Sequence, residues 1–378
     1  MKRAFPLFFC FLVSLLAYGQ IDPLATKETK ALYHNLKKLQ NQVILFGHQD
    51  GLAYGLNADS SRWIGDIGRS DVKTVTNEFP AVSGWDLGKI EFDSLNNLDQ
   101  VPFATIKRGI LETYQRGGIN TISWHLNNPT DPLKSSWDKV DSTLILTLKT
   151  PEYLKQYTNW LDKVALFLTS LKGAKGELIP IIFRPFHEHT GSWFWWGASY
   201  CTPEQYKQFW QFSVDYLQKT KGVHNLLIAY STDQFTSKEH YLERYPGDNY
   251  VDLVGFDCYH RNAPSSNELF QKELTRMVKT LSIIAKEHLK LCAITEIGLE
   301  RIVVADWWTK ILLPAISPSR LSYFLVWRNG RTDHFYAPFE GHASADDFNK
   351  MVATGKVILE RTTQQSRLYQ TRRGTSKK

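Results

Sequence analysis

The sequence predicts an α/β chain closed into a single (β/α)8 TIM barrel. Three observations carry that expectation. Eight apolar runs of strand length recur along the chain, helix-period stretches separate most of them, and nearly every run ends in polar or aromatic residues. No glycine-rich phosphate loop follows the first run, which weakens a dinucleotide-binding open sheet as the alternative. The 378 residues could hold two average domains, but a barrel routinely uses about 250 or more as one unit, so residues 20–360 are read as one domain.

Taken in order, the expected strands are Val43 to Phe46, Ala81 to Ser83, Asn120 to Ser123, Leu178 to Phe183, Asn225 to Tyr230, Asp252 to Phe256, Leu291 to Thr295 and Leu321 to Val326. The fourth is continuously apolar and partly β-branched, the pattern of a strand covered on both faces. Between the third and fourth, Thr150 can cap a helix with Pro151 at its first position. Leu154, Tyr157, Leu161, Val164, Leu168 and Leu171 then keep one apolar stripe until Gly173. Thr202, Pro203 and Gln205 form a capping box before Tyr206, Phe209, Trp210, Val214 and Leu217. Leu269 to His288 is a third periodic stretch.

The chain ends are set apart by composition. Residues 1–19 pair Lys2 and Arg3 with an apolar run too short for a membrane anchor and end in small residues, which reads as a secretory signal cut near Gly19 and Gln20. The expected location is therefore outside the cell or in the periplasm. The formal charge of +7 comes wholly from Lys2, Arg3 and the six basic residues after Glu360. The slightly acidic body argues against a nucleic-acid surface, and residues 361–378 read as a basic, disordered tail. Cys201, Cys258 and Cys292 lack metal-type spacing, so no disulfide framework and no metal is expected, and Cys258 and Cys292, within apolar strand-like runs, read as buried thiols. No obligate protein partner is evident.

Chemistry gathers at the strand ends. The stretch Leu178 to Gly197 reads LIPIIFRPFHEHTGSWFWWG: a strand, then Glu188 between His187 and His189, then Trp193, Trp195 and Trp196. Other runs end in His48, Gln49 and Asp50; Trp85 and Asp86; Trp124, His125 and Asn127; Asp233 and Gln234; Asp257 and Tyr259; Glu296; and Trp327, Arg328 and Asn329. In a parallel barrel these ends share one mouth, where aromatic faces beside carboxylates suit a sugar. Two glutamates facing each other across that mouth could break a glycosidic bond, one donating a proton and the other attacking or activating water.

The run RPFHEHTGSWFWWG resembles the acid/base segment of glycoside hydrolase family 26, best known for endo-β-1,4-mannanases, and ITEIG resembles its nucleophile segment. The resemblance implies a retaining, cofactor-free (β/α)8 enzyme with Glu188 as acid/base and Glu296 as nucleophile. It implies that Tyr259, in GFDCYH, hydrogen-bonds the nucleophile. With those implied roles, burial against Trp193 and the charge of Glu296 would keep Glu188 protonated, while Tyr259 and a cation such as Arg184 would favour ionised Glu296. His125, His187, Trp193, Trp327 and Arg328 match residues that bind substrate. His189 departs from the family pattern. The implied substrates are mannan, glucomannan or galactomannan, cut internally or with release of mannobiose. A β-1,3-xylanase or mixed-linkage β-glucanase specificity, or a non-catalytic carbohydrate-binding barrel, are the rivals.

Overall fold

The computed structural model describes residues 20–317 and 319–370; the leader expected over 1–19 and residues 371–378 lie outside it. Eight parallel strands form the barrel: β1 (Ile44–Gln49), β2 (Val82–Asp86), β3 (Ile119–Trp124), β4 (Ile181–Pro185), β5 (Leu226–Thr232), β6 (Leu253–His260), β7 (Leu291–Leu299) and β8 (Tyr323–Val326). Each pairs with its neighbour in sequence. The ring closes where β8 lies beside β1, Leu45 opposite Tyr323 and His48 opposite Val326. A short ninth strand, Val357–Ile358, extends the sheet at the start of β1.

Among the helices are α1 (Lys27–Leu39), α2 (Phe103–Gln115), α3 (Pro151–Thr169), α4 (Pro203–Asp215), α5 (Asn267–Glu287) and α6 (Glu360–Ser366). Thr202 and Gln205 form both halves of the capping box at α4, whereas Thr150 precedes α3 without a side-chain cap. Pro151 already removes one of the amides that such a cap would serve. Helix stripes and outward strand residues build the larger core, and Leu32, Tyr33 and Leu36 of α1 join the inward-facing layer of Leu45, Ile182, Leu227 and Leu291. That plugs the amino-terminal end of the barrel. Among the described residues no helix is long and apolar enough to cross a membrane. Cys201, Cys258 and Cys292 are free and buried.

Two local features re-aim the strand ends. Strand β4 continues through Arg184 and Pro185, which pair with Ser123 and Trp124, so Arg184 belongs to the strand and is buried. Strand β7 runs past Glu296 to Leu299, but its pairing with both β6 and β8 slips after Ile294. The extra residue is a bulge, which sets Asp257 directly opposite Glu296.

The expectation of a disordered tail from residue 361 is corrected as far as Gln370. Glu360 at the head of α6 holds Arg116 at 2.8 Å, Leu368 is buried, and the Asn35 amide donates to the carbonyls of Leu368 and Gln370. The segment docks through Leu368, the Tyr369 hydroxyl on the Gly118 carbonyl and its own carbonyls, too few apolar contacts to show as a pattern in sequence.

Candidate active site

Glu188 and Glu296 line one cavity of about 560 Å3 at the carboxyl ends of the strands. His125, His187, Trp193, Tyr259 and Trp327 share its wall, as do Asp233 and Gln234 after β5.

Glu296 is held from two sides. Tyr259 donates its hydroxyl to Oε2 at 2.6 Å, and the Arg184 guanidinium bonds Oε1 with one amino group and Asp257 Oδ2 with the other, at 2.8 Å. Asp257 also accepts from the hydroxyls of Thr295 and Ser231, at 2.6 and 3.0 Å. Burial alone would favour neutral Arg184; the two carboxylates more than reverse that, so it stays charged. Donor atoms of His187, Asp257 and Glu296 lie within 4.8 Å of one another, close enough to bind a cation. Arg184 already bonds both carboxylates there and supplies the positive charge.

Glu188 is built differently. Its backbone lies in the left-handed region at φ 54°, two residues after Phe186 at φ 47°. The loop is pinned by the Glu188 N–H on the Ser231 carbonyl at 3.0 Å and by the Trp196 indole on the His187 carbonyl at 2.8 Å. The Trp193 indole donates to Glu188 Oε2 at 2.6 Å. Burial, then the negative charges of Asp257, Glu296 and Asp233, push the Glu188 carboxyl well above the usual carboxylate range. One wall therefore carries a carboxyl inclined to keep its proton and another whose two oxygens both accept hydrogen bonds.

The histidines form a third side. His125 Nδ1 lies 2.7 Å from Asp86 Oδ2, and the Trp137 ring stacks on its imidazole at 5.1 Å. Burial disfavours the charged form of His125, but Asp86 and then Glu296 outweigh it and raise its pKa. The His187 ring meets His125 edge-on at 4.5 Å, and burial followed by the charge of Arg184 holds it neutral.

Several residues fall elsewhere. Arg328 does not line this cavity; its guanidinium turns to Asp99, 3.0 Å away, because two carboxylates, Asp50 and Asp99, lie buried on that side. Trp195 and Trp196 are core residues with their indoles on the Leu126 and His187 carbonyls. His189 packs between Tyr206 and Tyr230, away from the cavity. His48 and Trp85 are buried among the strands. Trp137, Phe194, Arg261, Glu300, His334 and Tyr336 line the cavity without having been singled out in the sequence. Trp137, Phe194, His334 and Tyr336 sit on loops, where no periodicity marks them, whereas Arg261 and Glu300 directly follow β6 and β7, a strand-end signal that could have found them.

The family model for glycosyl hydrolase family 26 matches residues 21–301. The chain belongs to that family. The matched stretch includes both glutamates of this family 26 chain and stops short of Trp327 and β8. A mannan endo-1,4-beta-mannosidase of Bifidobacterium adolescentis is 30% identical over 362 residues, covering 89% of this chain. The chain spans only 35% of that relative's length. Among solved structures, a GH26 beta-mannanase from Bacteroides ovatus superposes with a TM-score of 0.86 at 45% identity, covering 92% of this chain and 98% of that one. A modular endo-beta-1,4-mannanase from Cellulomonas fimi gives 0.80 at 33% identity, covering 90% and 77%.

Proposed function

We propose that this family 26 chain hydrolyses β-1,4-mannosidic bonds in mannan, glucomannan or galactomannan with retention of configuration. The observation that carries the reading is the asymmetric pair: Glu188 pushed toward its protonated form, and Glu296 bonded by Tyr259 and Arg184, on the wall of one cavity. The choice of mannan follows the names of the relatives.

A glycan lying across the cavity would set its linkage oxygen toward Glu188 and its anomeric carbon toward Glu296. Glu188 gives its proton to the departing oxygen while Glu296 Oε attacks the carbon, forming a glycosyl ester. Now ionised, Glu188 takes a proton from water, which opens the ester and frees Glu296. Arg184 and Tyr259 hold the Glu296 carboxylate in the attacking pose before substrate arrives, so little reorganisation is left for the reacting step. Trp193 fixes the orientation of the acid, and the rings of Trp137, Phe194 and Trp327 offer faces to the sugar.

The test is to incubate the chain with mannan, lichenan and β-1,3-xylan and to follow the anomeric protons of the first products from mannohexaose by NMR. Release from mannan with the β-anomer formed first supports the reading. Degradation of lichenan with mannan untouched, or the α-anomer first, would reject it. Residues 1–19 we read as a secretory leader, because a basic start, a short apolar run and small residues occur in that order. Amino-terminal sequencing of exported protein should begin near Gln20; retention of residue 1 in exported protein would refute the leader.

A further inference from the structure

At the opposite end of the barrel from the glutamates lies a second cavity, of about 860 Å3. Its walls come from Thr26–Glu28 at the head of α1, Tyr114 at the end of α2, residues 175–178 leading into β4, and Tyr369 with Gln370. The rings of Tyr114 and Tyr369 meet at 4.6 Å between centroids, inclined by 57°, as a half-buried aromatic floor. Both rings are tied. The Tyr369 hydroxyl donates to the Gly118 carbonyl at 2.6 Å and that of Tyr114 to Glu177 Oε1 at 3.2 Å. The other oxygen of Glu177 takes the Lys175 backbone N–H at 2.9 Å.

A crevice that served packing alone would be closed by apolar side chains. This one is floored by immobilised rings and rimmed by amine, amide and carboxylate groups. Among the described residues of the wall, Lys27 and Lys175 are balanced by Glu28 and Glu177, so these side chains carry no net charge that would select a charged ligand. Ring faces with hydrogen-bonding groups of both signs suit a neutral, polyhydroxylated chain.

We propose that this cavity is a second, non-catalytic binding site for a β-linked mannan chain. The identity of the sugar rests on the function proposed above; the site itself rests on the cavity's own geometry. Because it lies at the far end of the barrel, occupancy there leaves the cleft open and holds the enzyme on a polymer, raising the local substrate concentration.

The test titrates mannohexaose into the full chain carrying Glu296→Gln, by calorimetry. Two sites per chain are expected, falling to one when either Tyr114→Ala or Gly176→Asn is added. Gly176 lies at φ 80° with nothing within 4 Å of an added Cβ; a side chain there is strained, asparagine less than most, but no packed ring is removed, so the second variant loses less stability than the first. With Glu296 intact, both changes should leave kcat/KM on mannotetraose unchanged and lower the rate on insoluble mannan roughly threefold or more, as expected when one of two linked attachments is lost. A single site in the Glu296→Gln chain, or two sites persisting in both variants, overturns the proposal. Failure of the wild-type chain to cleave mannotetraose would instead count against the proposed function.

Discussion

The hydroxyl of Tyr259 stands 2.6 Å from Oε2 of Glu296, the oxygen that Arg184 leaves open. A donor placed on a nucleophile before substrate arrives fixes its direction of attack. Tyr259→Phe keeps the ring but loses that bond, and kcat on mannohexaose should fall by about 10²-fold, the effect of removing one pre-aimed donor. A loss below about threefold would make Tyr259 a packing residue.

Arg184 neutralises two buried carboxylates at once. Arg184→Met leaves Asp257 and Glu296 facing each other unpaired, and should destabilise the fold by about 3–5 kcal/mol in urea denaturation. Adding Asp257→Asn should restore part of the loss, since one of the stranded charges is gone. Unchanged stability in the single variant would contradict the charge balance described here.

The two glutamates should differ in what a better leaving group can rescue. Glu188→Ala loses only proton donation, so activity on mannan should fall about 10²–10⁴-fold while aryl glycosides with acidic phenols keep most of their bond-cleavage rate. Glu296→Ala should be inactive on every substrate, because the attacking carboxylate itself is gone. Equal losses on all leaving groups for both variants would undo the assignment.

Glu188 must carry its proton to act. Burial first, then Asp257, Glu296 and Asp233, raise its pKa, so kcat/KM should persist above the usual carboxylate range and fall as pH rises through the raised value. The folded state holds this proton more tightly than the unfolded chain does, so the group's contribution to stability is also lost as pH rises through that value. Asp233→Asn removes one of the raising charges and should move the alkaline limb to lower pH. A limb unmoved by that change would show that Asp233 is screened from the acid.

Barrel architecture was legible because each strand is a short apolar run whose polar residues gather at one end. The glutamates stood out for the same reason, and Tyr259 ends its own run. The bulge in β7 left no trace, since an extra residue changes pairing without changing composition. Arg328 looked equivalent to Trp327 in sequence, but the buried acids on its other side decide where a guanidinium turns. Trp137 reaches the cavity from a long loop, and a loop residue has no periodicity to betray it.

The left-handed backbone at Glu188 sets catalysis against durability. Side chains with a Cβ lose about 1–2 kcal/mol in that conformation, which glycine adopts freely, and this side chain is in addition an acid among acids. Glu188→Gly should therefore lose nearly all activity on mannan yet melt at a higher temperature than its parent in a calorimeter. A descendant released from the need to cut glycan would drift toward a tougher, silent barrel.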